Sequence, residues 1–196
     1  MTEDRGLMTE DGGQIRYLQP VEIIATLREI AGAVRAPLWL FGGVAVDFLV
    51  GRWTRPHGDI DLNAFADDRE AIACDLARIG YVALDTGWLT HWRQPATGRQ
   101  VELVFLERVA DGEAEVVIRE GDPIGTPGRH PTVRGYLDPT RWAELDGLRF
   151  RVSHPLGEWR ARRQGSGVIA GRAPDPKLEH DRRLLEALIP ESERLS

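Results

Sequence analysis

FGGVAVDFLVGRWTRPHGDIDL, Phe41 to Leu62, is the stretch on which the fold of this chain turns. Its approach, Leu38-Trp39-Leu40-Phe41, is a short apolar run that reads as a buried strand. At Gly42-Gly43 the pattern switches to helical spacing, with apolar residues at Val44, Val46, Phe48 and Leu49. Two glycines at a strand-to-helix turn let backbone N–H groups approach an anion with no Cβ in the way, and a helix N-terminus favours negative charge, so the turn reads as a phosphate seat. After Gly51 comes a basic patch, Arg52, Arg55 and His57, and then Asp59-Ile60-Asp61-Leu62. Alternate residues of a strand share a face, which places Asp59 and Asp61 together and turns Ile60 and Leu62 to the core. Two carboxylates one strand-step apart make a site for a hard cation such as Mg²⁺ on a nucleotide's phosphates.

The glycine pair, the segment Gly51-Arg52-Trp53-Thr54-Arg55-Pro56-His57-Gly58 and the Asp59-Ile60-Asp61 strand together resemble the signature of the DNA polymerase β nucleotidyltransferase superfamily. Within it they are similar to the aminoglycoside 2″-adenylyltransferase and lincosamide nucleotidyltransferase group, whose members join the two motifs by an insert of the form G-R-x-T-R-x-H-x-D-I-D. The resemblance implies an α/β (α+β) fold, a small mixed sheet with helices packed on it and a small C-terminal helical segment. It is strong from Gly42 to Leu62, moderate to Glu102 and thin beyond. It implies a core over residues 20–110, preceded by a mobile segment 1–19 and followed by a part, 111–196, that completes the substrate cleft.

Composition narrows the classes. At 196 residues the chain is long enough to bury one real core. No apolar run approaches the roughly 18–20 residues of a membrane span, and the acidic opening MTEDRGLMTEDGG lacks the basic and apolar regions of a secretory signal, so the chain reads as cytoplasmic with no membrane partner. A net charge of −6 argues against nucleic acid as a partner and suits a cationic small substrate. The single cysteine, Cys74, excludes an internal disulfide and a cysteine-based zinc site, and its helical spacing reads as a small buried apolar residue. Lys177 is the one lysine among many arginines. A lysine is a compact point charge suited to a phosphate, whereas arginine is a planar fork.

Helical spacing of Val21, Ile23, Ile24, Leu27, Ile30 and Val34 predicts a scaffold helix under the first strand. Asp67-Asp68 are placed to cap a helix over 69–79 with Ala71, Ile72, Leu76 and Ile79 inward, ended by Gly80, and Tyr81 to Leu84 reads as a strand. Residues 89–106 predict a hairpin around Pro95 to Gly98. In its second strand Glu102 is an acid among apolar residues, a position that calls for pairing or coordination. The superfamily places a third carboxylate on a strand beside the paired aspartates. Glu102 resembles it and is preferred to Glu107 at the strand end, although many members have aspartate there. Farther on, 116–118 is β-like, 121–139 reads as a loop or lid, 147–153 as a strand, 156–164 as a helix, Gly165 to Gly167 as a flexible joint and 176–189 as a final helix.

The resemblance implies Mg²⁺-dependent transfer of AMP from ATP to a hydroxyl of a small molecule, an aminoglycoside or lincosamide, with release of pyrophosphate. Asp59, Asp61 and Glu102 would hold two Mg²⁺, with Glu102 as ligand, base or both. Gly42 and Gly43 would seat phosphates, and Arg52, Arg55, His57 and Lys177 would face the nucleotide. The alternative role for His57 is to orient a neighbouring carboxylate. Trp53, Tyr81, Trp88 and Trp92 are candidates to stack on a ring or to fill the core, and Asp85, Glu107, Asp111, Glu113 and Glu115 to line a site for a polyamine-like ligand or simply to be solvated. Two rivals stay open: a toxin–antitoxin or regulatory nucleotidyltransferase acting on protein or RNA, whose Gly-Ser-x-Ala-Arg-Gly element is absent here, and a non-catalytic nucleotide-binding module. Oligomeric state is not legible.

Overall fold

The computed structural model describes residues 17–85, 89–110, 113–120, 127–168 and 175–195, with only the backbone of 164–168. Helix α1, Pro20–Ala33, starts on a proline, and the Gln19 N–H donates to Glu22 Oε2 at 2.8 Å. Ile23, Ile24, Leu27 and Ile30 form its buried stripe. Val21, expected inward, is 73% exposed, because two residues from Ile23 it falls on the opposite side of the helix.

The main sheet is built from β1 (Trp39–Phe41), β2 (Asp61–Phe65), β3 (Val82–Ala83), β4 (Leu89–Arg93) and β5 (Gln100–Arg108), ordered β1-β2-β5-β4-β3. Only the β2–β5 pair on this path is parallel. The sheet continues through β6 (Ala114–Ile118), paired with the end of β5, and β7 (Gly128–Pro131). A separate hairpin, β8 (Trp142–Leu145) and β9 (Leu148–Arg151), turns at Asp146-Gly147, both at positive φ. Just past it, Val152 forms a parallel bridge to Leu40, and the Ser153 N–H donates to the Leu40 carbonyl at 2.9 Å.

The remaining helices are α2 (Gly42–Val50), α3 (Arg69–Arg78), α4 (Pro155–Val168), α5 (Pro176–Glu186) and α6 (Glu191–Arg194). One face of the sheet, with Leu40, Leu62, Ala64, Leu103 and Phe105, packs with α1, α2 and α3 into the main core. The other face sets Trp39, Phe65, Val104 and Leu106 against Ala114 and Leu137. A third cluster joins Val46 of α2 to Leu156 and Trp159 of α4 and Leu185 of α5, fixing the C-terminal helices to the glycine turn's own helix. No described helix is long and apolar enough to cross a membrane.

Several local expectations change. Cys74 is exposed, and Ala71 with it. The inward place on α3 goes instead to Asp75, 1% exposed, which accepts hydrogen bonds from the Arg35 backbone and from the Arg35 and Arg78 side chains. Asp68 precedes α3 without a side-chain cap, and Asp67 pairs with Arg108 at 3.5 Å. Only Val82 and Ala83 of the expected 81–84 strand join the ladder. Within the expected 121–139 loop, β7 extends the sheet and Leu137 is buried, while 121–126 lie outside the described residues. Helix α4 runs through Gly165 to Gly167, and the final helix stops at Glu186. The segment expected to be mobile lies, up to residue 16, outside the described residues.

Candidate active site

Register brings the motifs together. Phe41, the last residue of β1, pairs with Asp61, the first of β2, and Asp61 pairs with Glu102 on β5. Paired residues in a sheet project to the same face, so the glycine turn, Asp61 and Glu102 meet at one end of three adjacent strands. Asp59 is exposed and lies two residues before β2, outside the strand on which alternation was to set it beside Asp61. Burial holds the Asp61 carboxyl well above the usual carboxylate range, and the charges of Asp59, Glu102 and Glu158 push it further up. Glu102 is raised as well, by burial first and then by Asp59, against the opposing pull of His91.

The glycine pair makes room for this arrangement. A β-carbon on Gly42, whose φ is +71°, would lie 2.0 Å from Asp61 Oδ2, and one on Gly43 would lie 2.1 Å from Arg55 Nη2 and 2.9 Å from His57 Nδ1. Both glycines therefore admit functional side chains to the start of α2. The Gly42 N–H, expected to face a phosphate, donates to Glu158 Oε2 at 3.0 Å.

Glu158 belongs to a network that local sequence patterns did not reveal. Buried to 1% exposure, it also accepts from Tyr136 Oη (2.8 Å), Ser153 Oγ (2.5 Å) and Arg162 Nη1 (2.8 Å). Arg162 lies 3.4 Å from Asp181, which in turn holds Arg55 in a two-pronged pair at 2.9 and 3.0 Å. Charges alternate along Glu158, Arg162, Asp181 and Arg55. For both arginines burial disfavours the cation, and the carboxylates outweigh it, so both guanidinium pKa values rise. The one available signal was the Glu158/Arg162 spacing of four on a helix, which solvated surface pairs share.

These elements enclose a cleft of about 540 Å³. Of the residues singled out from sequence, Gly42, Gly43, Arg55, Asp59, Asp61 and Lys177 line it. Glu102 stands beside Asp61 in register without lining the cleft. Arg52 is exposed outside it. His57 is 2% exposed and sits 2.6 Å from Asp47 Oδ2, whose other oxygen accepts from Thr54. It ties the basic segment to α2 and does not reach the cleft, because Asp47, fully buried, requires a partner of its own. Lys177 Nζ lies 5.6 Å from the Tyr17 ring. Sequence reading missed Tyr136, Glu158, Arg162 and Asp175 on the cleft wall.

None of the stacking candidates in the described residues lines the cleft: Trp92 and Tyr81 are buried, and Trp53 Nε1 bonds Asp146. Trp88 and Asp111 lie outside the described residues. Glu115 pairs with Arg129, and Glu113 lies 3.7 Å from Arg134.

Among the described residues no three acidic or imidazole groups already stand as a ligand cluster. The donor set nevertheless suits a hard divalent cation. Asp59, Asp61 and Glu102 offer oxygen donors, and burial with crowded negative charge raises the carboxyls of Asp61 and Glu102 against the pull of Arg162 and His91.

A family model described as aminoglycoside-2''-adenylyltransferase matches residues 22–139. No curated protein sequence matches significantly. Among solved structures, the solution structure of the antibiotic-resistance factor ANT(2'')-Ia is 16% identical with a TM-score of 0.68, over 90% of this chain and 89% of that one. ANT(2'')-Ia in complex with adenylyl-2''-tobramycin gives 18% and 0.64, over 88% and 92%. The lincosamide antibiotic adenylyltransferase LnuA, bound to lincomycin, gives 16% and 0.63, over 89% and 100%. At such identities the likeness speaks for the fold, which is the polymerase β-like nucleotidyltransferase fold. The family match takes in the glycine turn, the paired aspartates and Glu102 across more than half of the sequence, and the chain is a nucleotidyltransferase belonging to the aminoglycoside-2''-adenylyltransferase family.

Proposed function

We propose that the protein transfers AMP from ATP to a hydroxyl of a small antibiotic, an aminoglycoside or a lincosamide, with release of pyrophosphate. The observation that carries this reading is the nearness of Asp59 and Glu102 to Asp61 beside the glycine turn, where burial and then their charges raise the Asp61 carboxyl against the pull of Arg162. Asp59 and Asp61 would hold Mg²⁺ on the triphosphate, and Asp61 with Glu102 would hold a second ion. Bound Mg²⁺ supplies neutralisation of the phosphate oxygens and lowers the pKa of the attacking hydroxyl.

The chain's own residues do the rest. Lys177 and Arg55 face the cleft and are placed to attract the triphosphate tail. Arg55 is held by Asp181 so that its fork does not have to be ordered on binding. Burial raises the Glu102 carboxyl, which makes it a stronger base for the hydroxyl proton. Five carboxylates against three cations line the cleft, which favours an acceptor bearing amino groups. In this reading residues 20–110 carry the nucleotide chemistry and 111–196 complete the acceptor side, and the action is cytoplasmic.

Pyrophosphate release from Mg²⁺–ATP is the test, measured across aminoglycosides, lincosamides and protein acceptors. Release that requires an aminoglycoside or lincosamide supports the reading. Release only with a protein acceptor would replace it with the regulatory class, and ATP binding without release on any acceptor would favour a binding module.

A further inference from the structure

Glu102 does not stand alone on its strand. Across the β4–β5 ladder its register partner is His91, whose Nε2 lies 3.2 Å from Glu102 Oε2. The other ring nitrogen, Nδ1, meets Asp85 Oδ2 at 2.5 Å, and the His91 backbone N–H donates to Asp85 Oδ1 at 2.7 Å. One carboxylate therefore grips both the backbone and the ring of His91, fixing χ1 and the ring plane. The far nitrogen is left aimed at Glu102.

We infer that Asp85 and His91 form, with Glu102, a carboxylate–imidazole–carboxylate chain that positions the Glu102 carboxylate toward Asp61. His91 and Asp85 are positioning residues, acting through Glu102. The inference rests on the place of Glu102 in the catalytic set proposed above. A glutamate has one more rotatable bond than an aspartate and reaches farther from its strand. Glu102 is partly exposed at 26%, so packing alone does not hold its head group. An imidazole anchored at its opposite end removes that freedom, and a neighbour that orients a ligating or basic carboxylate is worth about 10- to 100-fold in metal affinity or activity. The chain also accounts for the three polar residues converging on a sheet surface: Asp85 lies in the β3–β4 connection, His91 on β4 and Glu102 on β5.

Three variants at one site make the test. In His91→Gln the amide nitrogen can occupy the place of Nε2 and still donate to Glu102. In His91→Asn the amide reaches only the Nδ1 position and can still bond Asp85. His91→Ala loses both. Two readouts are taken: kcat and KM for pyrophosphate release, and the Mg²⁺ midpoint for thermal stabilisation with a non-hydrolysable ATP analogue present. Positioning predicts that His91→Ala and His91→Asn lose about 10- to 100-fold in kcat and weaken the Mg²⁺ midpoint, with KM for ATP little changed. It predicts that His91→Gln recovers both to within about threefold. Equal behaviour of the Gln and Asn variants, or an alanine variant matching the wild type, would overturn it. If the wild type releases no pyrophosphate with any acceptor, the transfer reading fails, and the Mg²⁺ midpoints still decide the positioning of Glu102.

Discussion

The two walls of the cleft use the same kinds of side chain to opposite ends. On one, Asp59 and Asp61, with Glu102 beside Asp61 in register, crowd more negative charge than Arg162 offsets, and the raised Asp61 and Glu102 carboxyls record the cost. On the other, Glu158, Arg162, Asp181 and Arg55 alternate in sign and satisfy one another within 3.4 Å at each step. A buried carboxylate balanced by arginines serves as structure, and one surrounded by an excess of its own charge is poised for a cation. The difference between scaffold and site here is charge balance, with residue type held nearly constant.

The largest effect should come from relieving the unbalanced wall. Asp61→Asn should cost roughly 1,000-fold in pyrophosphate release, since it removes charge at the point of metal and transition-state stabilisation. A variant retaining most activity would contradict the assignment. Breaking the balanced wall should act on stability instead. Arg162→Met leaves Glu158 with neutral donors only, while Asp181 keeps Arg55, and by the usual cost of an orphaned buried charge it should destabilise by about 3–5 kcal/mol in denaturant unfolding. Little loss there would mean that the ladder is not the scaffold described.

Gly42→Ala joins the two walls, because the new methyl would displace Asp61 at a position of positive φ. A displacement near 1 Å predicts about 100-fold lower kcat with ATP binding largely kept. Lys177→Met should raise KM for ATP about tenfold, equivalent to about 1.4 kcal/mol, with a smaller change in kcat. An unchanged KM would remove Lys177 from the nucleotide side.

The smallest effect is a pH dependence without metal. Asp61 has a folded-state pKa above its unfolded value. Its protonated form therefore stabilises the fold below the ordinary carboxylate pKa, and that contribution is lost as pH rises through the raised value. Metal-free wild type should lose stability relative to Asp61→Asn as pH rises above the ordinary carboxylate pKa, read as a widening gap in Tm. Added Mg²⁺ should close the gap. Parallel pH curves for the two proteins would contradict the charge crowding.

What the sequence disclosed follows the same division. The strand, glycine turn, helix and paired aspartates lie within Phe41 to Leu62, and their spacing is local enough to read. Glu102 could be placed by alternation on its strand. Glu158 could not: it meets Gly42 across 116 positions, and nothing in its neighbourhood distinguishes it from a solvated helix acid. Cys74 and Asp75 exchange the expected places because a partnered aspartate can take the inward position, a fact that lives in Arg35 and Arg78 and not in helix periodicity. His57 is withheld from the cleft by Asp47 in the same way.

The short bridge between Leu40 and Val152 carries a consequence for how the protein is born. The strand leading into the glycine turn gains this neighbour only when residues 152 and 153 have been synthesised. Glu158, Arg162 and Asp181 follow later still. On the ribosome, contacts of such long range form late and slowly. A nascent chain that has completed Gly42, Asp61 and Glu102 still lacks the groups that fix the turn, so competence for chemistry should arrive abruptly, once Asp181 has been synthesised.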